Sequence, residues 1–99
     1  MLELHVCNRN GAVLRAFALG DTTEVIVGRD ESCDVRIEAP TVSREHCLIE
    51  QQAAGSTLRD LDSSGGTYVG SQRIDSVPIT NGLEVRVGPA VLRFVETAL

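Results

Sequence analysis

Chain-reversing residues recur about every 8–12 positions along this sequence of 99 residues, and apolar residues between them alternate with polar ones. Strands fit that spacing. No segment carries the sustained 3.6-residue apolar period and caps that a helix requires. Leu2, Leu4 and Val6 alternate with Glu3 and His5, the mark of a half-buried strand. Asn10-Gly11 follows as a two-residue hairpin signal, because both residue types tolerate positive φ. Val13 to Leu19 is the expected returning strand, and further strands are expected at Thr23 to Val27, Val35 to Ile37, His46 to Gln51, Ser56 to Leu61 and Thr67 to Val69. A second hairpin signal, Asn81-Gly82, precedes the alternating run Leu83 to Val87, and Gly88-Pro89 separates it from a last strand, Ala90 to Glu96. The pattern predicts a single all-β domain over residues 1–99, a sandwich or barrel without repeat or linker.

Composition removes several functions. At 42% apolar residues the chain can bury one core. No apolar run approaches the roughly 20 residues of a membrane helix, so no membrane partner is expected. The start, Met1-Leu2-Glu3-Leu4-His5, lacks a basic region followed by an apolar stretch, which points to the cytoplasm. The last apolar run lies almost at the chain end, as in a domain cut from a longer, multidomain protein. Fourteen acidic residues against nine basic ones leave a net charge of −5, and only three residues are aromatic. A broad positive field and stacking platforms are both missing, so nucleic acid is not an expected partner. Every basic residue is Arg, so any bound anion would meet planar, bidentate donors. The odd set Cys7, Cys33 and Cys47 is expected to stay reduced, with two of the three facing the core. A metal set of Cys33, His46 and Cys47 is disfavoured, because adjacent strand residues point to opposite faces. No cofactor or metal is expected.

The polar residues that invite a function sit between strands. Gly28-Arg29 ends one strand; Thr41-Val42-Ser43-Arg44-Glu45-His46 leads into another; Asp60 to Val69 holds Ser63-Ser64-Gly65-Gly66-Thr67-Tyr68. Hydroxyls, backbone N–H groups and guanidinium on a rigid sandwich make an anion receptor if the loops converge. Each residue also has a structural reading. Arg29 could pair with Asp30 or Glu31, Ser43 could bond its own backbone, and Gly28 and Gly66 could serve backbone geometry. Asp60 and Asp62 read as turn formers, and Tyr68 and Phe94 as core. His46 has no nucleophile presented to it, so it reads as a structural histidine and the chain as no enzyme.

In their order and spacing, Gly28-Arg29, Ser43-x-x-His46, Asp60-Leu61-x-Ser63-Ser64-x-Gly66-Thr67-Tyr68-Val69 and Asn81 to Gly88 resemble the forkhead-associated (FHA) family over residues 23–95. The resemblance implies an FHA-type antiparallel β-sandwich of two twisted sheets and about eleven strands, with signalling loops at one end that bind a phosphothreonine peptide. It implies that Arg29 contacts the phosphate or braces its loop, that Ser43 and Ser64 donate hydroxyls, and that Arg44 adds a polar contact. Gly28, His46, Gly66 and Thr67 would support the loops. One position departs from the pattern. Gly65 stands where the family carries an Asn that clamps the peptide main chain, and Gly70 replaces a second Asn. Losing two neutral hydrogen bonds would weaken binding by roughly 1–3 kcal/mol, about five- to 150-fold. Charge-assisted bonds, at roughly 1.5–3 kcal/mol each, remain the larger contribution. The expectation is phosphopeptide binding with a weakened main-chain grip, which Gly65→Asn would restore; the alternative is a phosphorylation-independent interaction or assembly module.

Overall fold

The computed structural model describes residues 1–97. Its elements are β1 (Leu2–Cys7), β2 (Val13–Ala18), β3 (Glu24–Gly28), β4 (Val35–Arg36), β5 (Cys47–Gln52), β6 (Gly55–Asp60), β7 (Thr67–Val69), β8 (Gln72–Arg73), β9 (Ser76–Pro78), β10 (Glu84–Val87) and β11 (Ala90–Glu96). They form a six-stranded sheet in the order β2-β1-β11-β10-β7-β8 and a five-stranded sheet in the order β4-β3-β5-β6-β9. Only the pairing of β3 with β4 is parallel. The expected all-β, eleven-stranded FHA-type sandwich is the fold found. No helix of the described residues is long and apolar enough to cross a membrane.

Alternation in the strands becomes two facing apolar surfaces. Leu2, Leu4 and Val6 of β1, Val85 and Val87 of β10, and Leu92 and Phe94 of β11 line one sheet. Val25 and Val27 of β3, Cys47 and Ile49 of β5, and Leu58 of β6 line the other. Each fully buried aliphatic side chain stabilises the fold by roughly 1.5–3 kcal/mol, so this interior dominates the stability. Cys7 and Cys47 are buried free thiols and Cys33 is half-buried. Phe94 is core as expected, but Tyr68 is only half-buried, its ring lying 4.5 Å from the Arg86 guanidinium.

The two Asn-Gly signals do not make two-residue hairpins. Between β1 and β2 the connection is Asn8–Ala12, closed by Asn8 Oδ1, which accepts the N–H groups of Asn10 and Ala12, each at 3.0 Å. Gly11 has a positive φ of 85°, but Asn10 does not, so a type I′ turn is ruled out. Asn81-Gly82 joins β9 in one sheet to β10 in the other. There Leu83 N–H donates to Thr80 O at 3.1 Å and Gly82 has φ 87°, a type II pattern that carries the chain between layers. Two-residue connections lie elsewhere, Ala53-Ala54 between β5 and β6 among them. Gly70-Ser71 joins β7 to β8 and Gly88-Pro89 joins β10 to β11, each with positive φ at the first residue alone, as in type II′. Gly70 thus has a backbone role of its own. Strand β8 lacks any alternation that would announce it, and the short alternation of Val77 and Ile79 at β9 is interrupted by Pro78; pairing to longer neighbours defines both.

Gly28, at the end of β3, marks the tightest approach in the fold. A Cβ there would stand 2.2 Å from the carbonyl oxygen of Arg44. That oxygen already accepts Asp30 N–H at 3.1 Å and the Cys33 thiol at 3.0 Å. Gly28→Ala should therefore cost about 1–3 kcal/mol by overpacking, read as a lower urea midpoint with an unchanged slope.

Candidate functional site

Strand register decides which loops meet. Val27 pairs with Cys47, and Cys47 pairs with Asp60, so the chain leaves β3, enters β5 and leaves β6 at one level. In the other sheet Val87 pairs with both Thr67 and Ala90, and Cys7 with Val91. The three loops expected to form an anion site therefore emerge from the same end, beside the β1–β2 and β10–β11 connections.

His46 ties two of these loops together. It is fully buried, its Nδ1 accepts the N–H of Ser43 at 3.0 Å, and its Nε2 lies 2.9 Å from Gly66 O. An N–H can only donate, so Nδ1 is unprotonated and Nε2–H donates to Gly66 O. The ring is a neutral strut with both nitrogens engaged, as expected of a structural histidine. Gly66 is buried with φ 84°, and a Cβ on it would meet the Tyr68 ring at 2.9 Å. Ser63 Oγ accepts the Gly66 N–H at 3.1 Å, and Arg73 braces the turn by donating to Ser63 O at 3.0 Å.

Asp60, read from sequence as a turn former, is the second hub. Its carboxylate accepts the Ser63 hydroxyl at 2.5 Å, the Thr67 hydroxyl at 2.7 Å and the Ser63 N–H at 3.1 Å. Burial pushes its carboxyl up, but these three hydrogen bonds outweigh burial and hold it below its ordinary value of 3.8. Asp62 supplies the reversal, with φ 57°. The hub roles of Asp60, Ser63 and Arg73 had no sequence signal beyond turn-forming composition and spacing.

On this frame the groups expected to meet an anion come together in part. Ser43 Oγ lies 3.3 Å from Ser64 Oγ and accepts the Ser64 N–H at 3.1 Å. Arg29 is joined to the same loop through its N–H to Ser43 O at 2.9 Å and its Nε to Val42 O at 2.9 Å. It forms no ion pair with Asp30 or Glu31 among the described residues. Asp30 instead takes the Ser32 hydroxyl and N–H, which hold its carboxyl below the usual range, with smaller help from Arg44 and Arg36. Arg29, Arg44, Ser64 and Gly65 are exposed, and Ser43 is half-buried. The expected backbone donors differ from the expectation: the N–H groups of Ser43, Ser64 and Gly66 are all consumed inside the loops. The N–H groups of the exposed Arg44 and Gly65 take no such bond among the described residues, so these backbone donors remain beside the hydroxyl and guanidinium groups. Gly65 carries no positive φ, yet a Cβ there would sit 2.8 Å from Thr41 O, so the loops touch across it. Burial pushes the Cys47 thiol up to about 12 and raises that of Cys33.

Asp60→Asn should cost about 1–3 kcal/mol at neutral pH, because three donors lose a charged acceptor. A depressed folded-state value means stability present above pH 3.8 and lost as pH falls through that lower value. The gap between wild type and variant should therefore close in acid, measured by urea melts from pH 7 to pH 3.

Residues 25–88 match the profile of the FHA domain. The chain is 35% identical over 74 residues to the ABC transporter ATP-binding/permease protein Rv1747 of Mycobacterium tuberculosis, covering 75% of this chain and 8% of that protein. It is 32% identical over 75 residues to the glycogen accumulation regulator GarA of Mycolicibacterium smegmatis, covering 76% of this chain and 48% of that one. The chain thus spans about half of the regulator and a small part of the transporter. The crystal structure of Mycobacterium tuberculosis Rv1747 FHA-1 aligns with a TM-score of 0.73 at 33% identity over 95% of both chains. A structure from an analysis of phosphothreonine-dependent FHA domain interactions aligns with a TM-score of 0.84 at 24% identity, covering 99% of this chain and 98% of that one, which bears on the fold. The profile match covers well over half of the sequence, and the sandwich carries the same conclusion: this chain is a non-catalytic binding module and belongs to the FHA domain family.

Proposed function

We propose that this domain binds phosphothreonine in a partner protein through Arg29, Ser43, Arg44 and Ser64, in a reducing, cytoplasmic setting suited to its three thiols. The observation that carries the reading is the pairing of the Ser43 and Ser64 hydroxyls at 3.3 Å, on a loop to which Arg29 is hydrogen-bonded. A phosphate brings about −1.5 to −2 charges and three acceptor oxygens, which suits hydroxyl and guanidinium donors. FHA domain homologues bind phosphothreonine peptides, as in the phosphothreonine-dependent interactions of one structural relative. We read the chain as one domain that functions within, or beside, a longer protein.

Gly65 shapes how the peptide is held. Without the Asn amide, the main-chain grip is weaker by roughly 1–3 kcal/mol. The simple expectation that Gly65→Asn restores it needs revision. A Cβ at 2.8 Å from Thr41 O forces the loop that carries Ser43 to move. Overpacking of that kind costs about 1–3 kcal/mol, as much as the amide would return. No net tightening is therefore expected from Gly65→Asn. The same closed seam favours the second reading, a phosphorylation-independent docking module, since it leaves little room for a peptide clamp at this point.

A phosphothreonine peptide should bind, its unphosphorylated twin should not, and Arg29→Ala should weaken binding about 10- to 150-fold. Titration calorimetry with matched peptides checks this. Saturable binding that survives phosphatase treatment and Arg29→Ala selects the second reading.

A further inference from the structure

Beside the Ser43–Ser64 pair lies a groove of about 240 Å³ lined by Arg9, Thr41, Gly65, Tyr68, Arg86 and Gly88. It is built by the register that gathers the loops. Cys7 pairs with Val91 and so delivers the loop bearing Arg9, while Arg86 pairs with Tyr68 across β10 and β7. Thr41 is pressed between two positions without side chains: a Cβ on Gly65 would stand 2.8 Å from its carbonyl oxygen, and one on Gly88 would stand 2.9 Å from its hydroxyl. The missing side chains keep the groove open next to the phosphate-facing hydroxyls.

Its charge runs against that of the whole chain. The net charge is −5, yet both ionisable side chains on the cationic wall are Arg. The ion pairs among the described residues are His5–Glu3, Arg36–Glu38, Arg59–Glu50 and Arg93–Glu84; Arg9 and Arg86 belong to none of them. Glu84, two residues from Arg86 on the same strand, is taken by Arg93 at 2.8 Å. The Arg86 guanidinium lies over the Tyr68 ring, 4.5 Å from its centroid. Stacking steadies the planar group and leaves its N–H edge free for a two-pronged contact with a carboxylate.

We propose that this groove is a subsite for an Asp or Glu side chain of the bound phosphopeptide, held by Arg86 with Arg9 beside it. The proposal rests on the phosphothreonine reading above and narrows it: the partner is acidic near its phosphothreonine, and an ionic grip adjoins the position where Gly65 provides no amide clamp.

The test is a phosphothreonine peptide set in which each flanking position is in turn Asp, Glu, Ala, Lys or phosphoserine. Affinities are read by fluorescence anisotropy at low and high salt, with wild type, Arg86→Gln, Arg86→Lys, Arg9→Gln and Arg29→Ala. At one position Asp or Glu should bind about three- to tenfold tighter than Ala, and Lys weaker, with the preference shrinking in high salt. Arg86→Gln should bring the acidic-to-neutral ratio to about one. Arg86→Lys should keep part of it, because charge survives while the fork does not. Phosphate-dependent binding with no acidic preference, with a preference that Arg86→Gln and Arg9→Gln leave intact, or with a gain from phosphoserine alone would overturn the subsite and spare the phosphothreonine reading. Binding that ignores both the phosphate and Arg29→Ala would remove the two together.

Discussion

The imidazole of His46 is the interaction on which the functional end depends. It is fully buried and bridges Ser43 N–H to Gly66 O, joining the loop before β5 to the loop before β7. Those loops are separated in sequence, and beyond the Leu61 N–H to His46 O bond that extends the β5–β6 ladder, side chains hold them together. A buried, unpaired N–H and carbonyl would each cost about 1–3 kcal/mol. One neutral ring satisfies both and fixes its own tautomer. The Ser43 and Ser64 hydroxyls meet because of this strut.

Asp60 completes the frame from below. Its carboxylate gathers Ser63 and Thr67 as His46 gathers Ser43 and Gly66, so the loop between β6 and β7 is pinned at both ends. The consequence for binding is preorganisation. The N–H groups of Ser43, Ser64 and Gly66 are spent within the loops, and hydroxyls and guanidinium remain as the side-chain donors. Donors of that kind suit a multiply charged oxyanion better than a neutral partner.

Glycines at three points trade side chains for proximity. Gly28 admits the Arg44 carbonyl, Gly65 the Thr41 carbonyl, and Gly88 the Thr41 hydroxyl. Thr41 thereby becomes the wedge between the Ser43–Ser64 hydroxyl pair and the Arg86–Tyr68 groove. A substitution at Gly65 or Gly88 acts on both regions, because they share that wall.

The sequence by itself determined the layers. Period-2 alternation in β1, β3, β10 and β11 dictates which side chains point inward, since neighbouring residues on a strand face opposite sides. Arg29, Ser43, His46 and Ser64 were legible as candidates because their order and spacing resemble the FHA pattern. Tertiary structure decided the rest. Asn10-Gly11 and Asn81-Gly82 read alike as hairpins, yet one closes a longer loop around Asn8 and the other crosses between sheets, as partner strands rather than the dipeptide select the turn. The short strand β8 exists through pairing alone. The roles of Asp60, Gly65 and Arg86 depend on what stands across from them in space: two hydroxyls, a carbonyl and an aromatic ring. Such long-range neighbours leave no periodic trace along the chain.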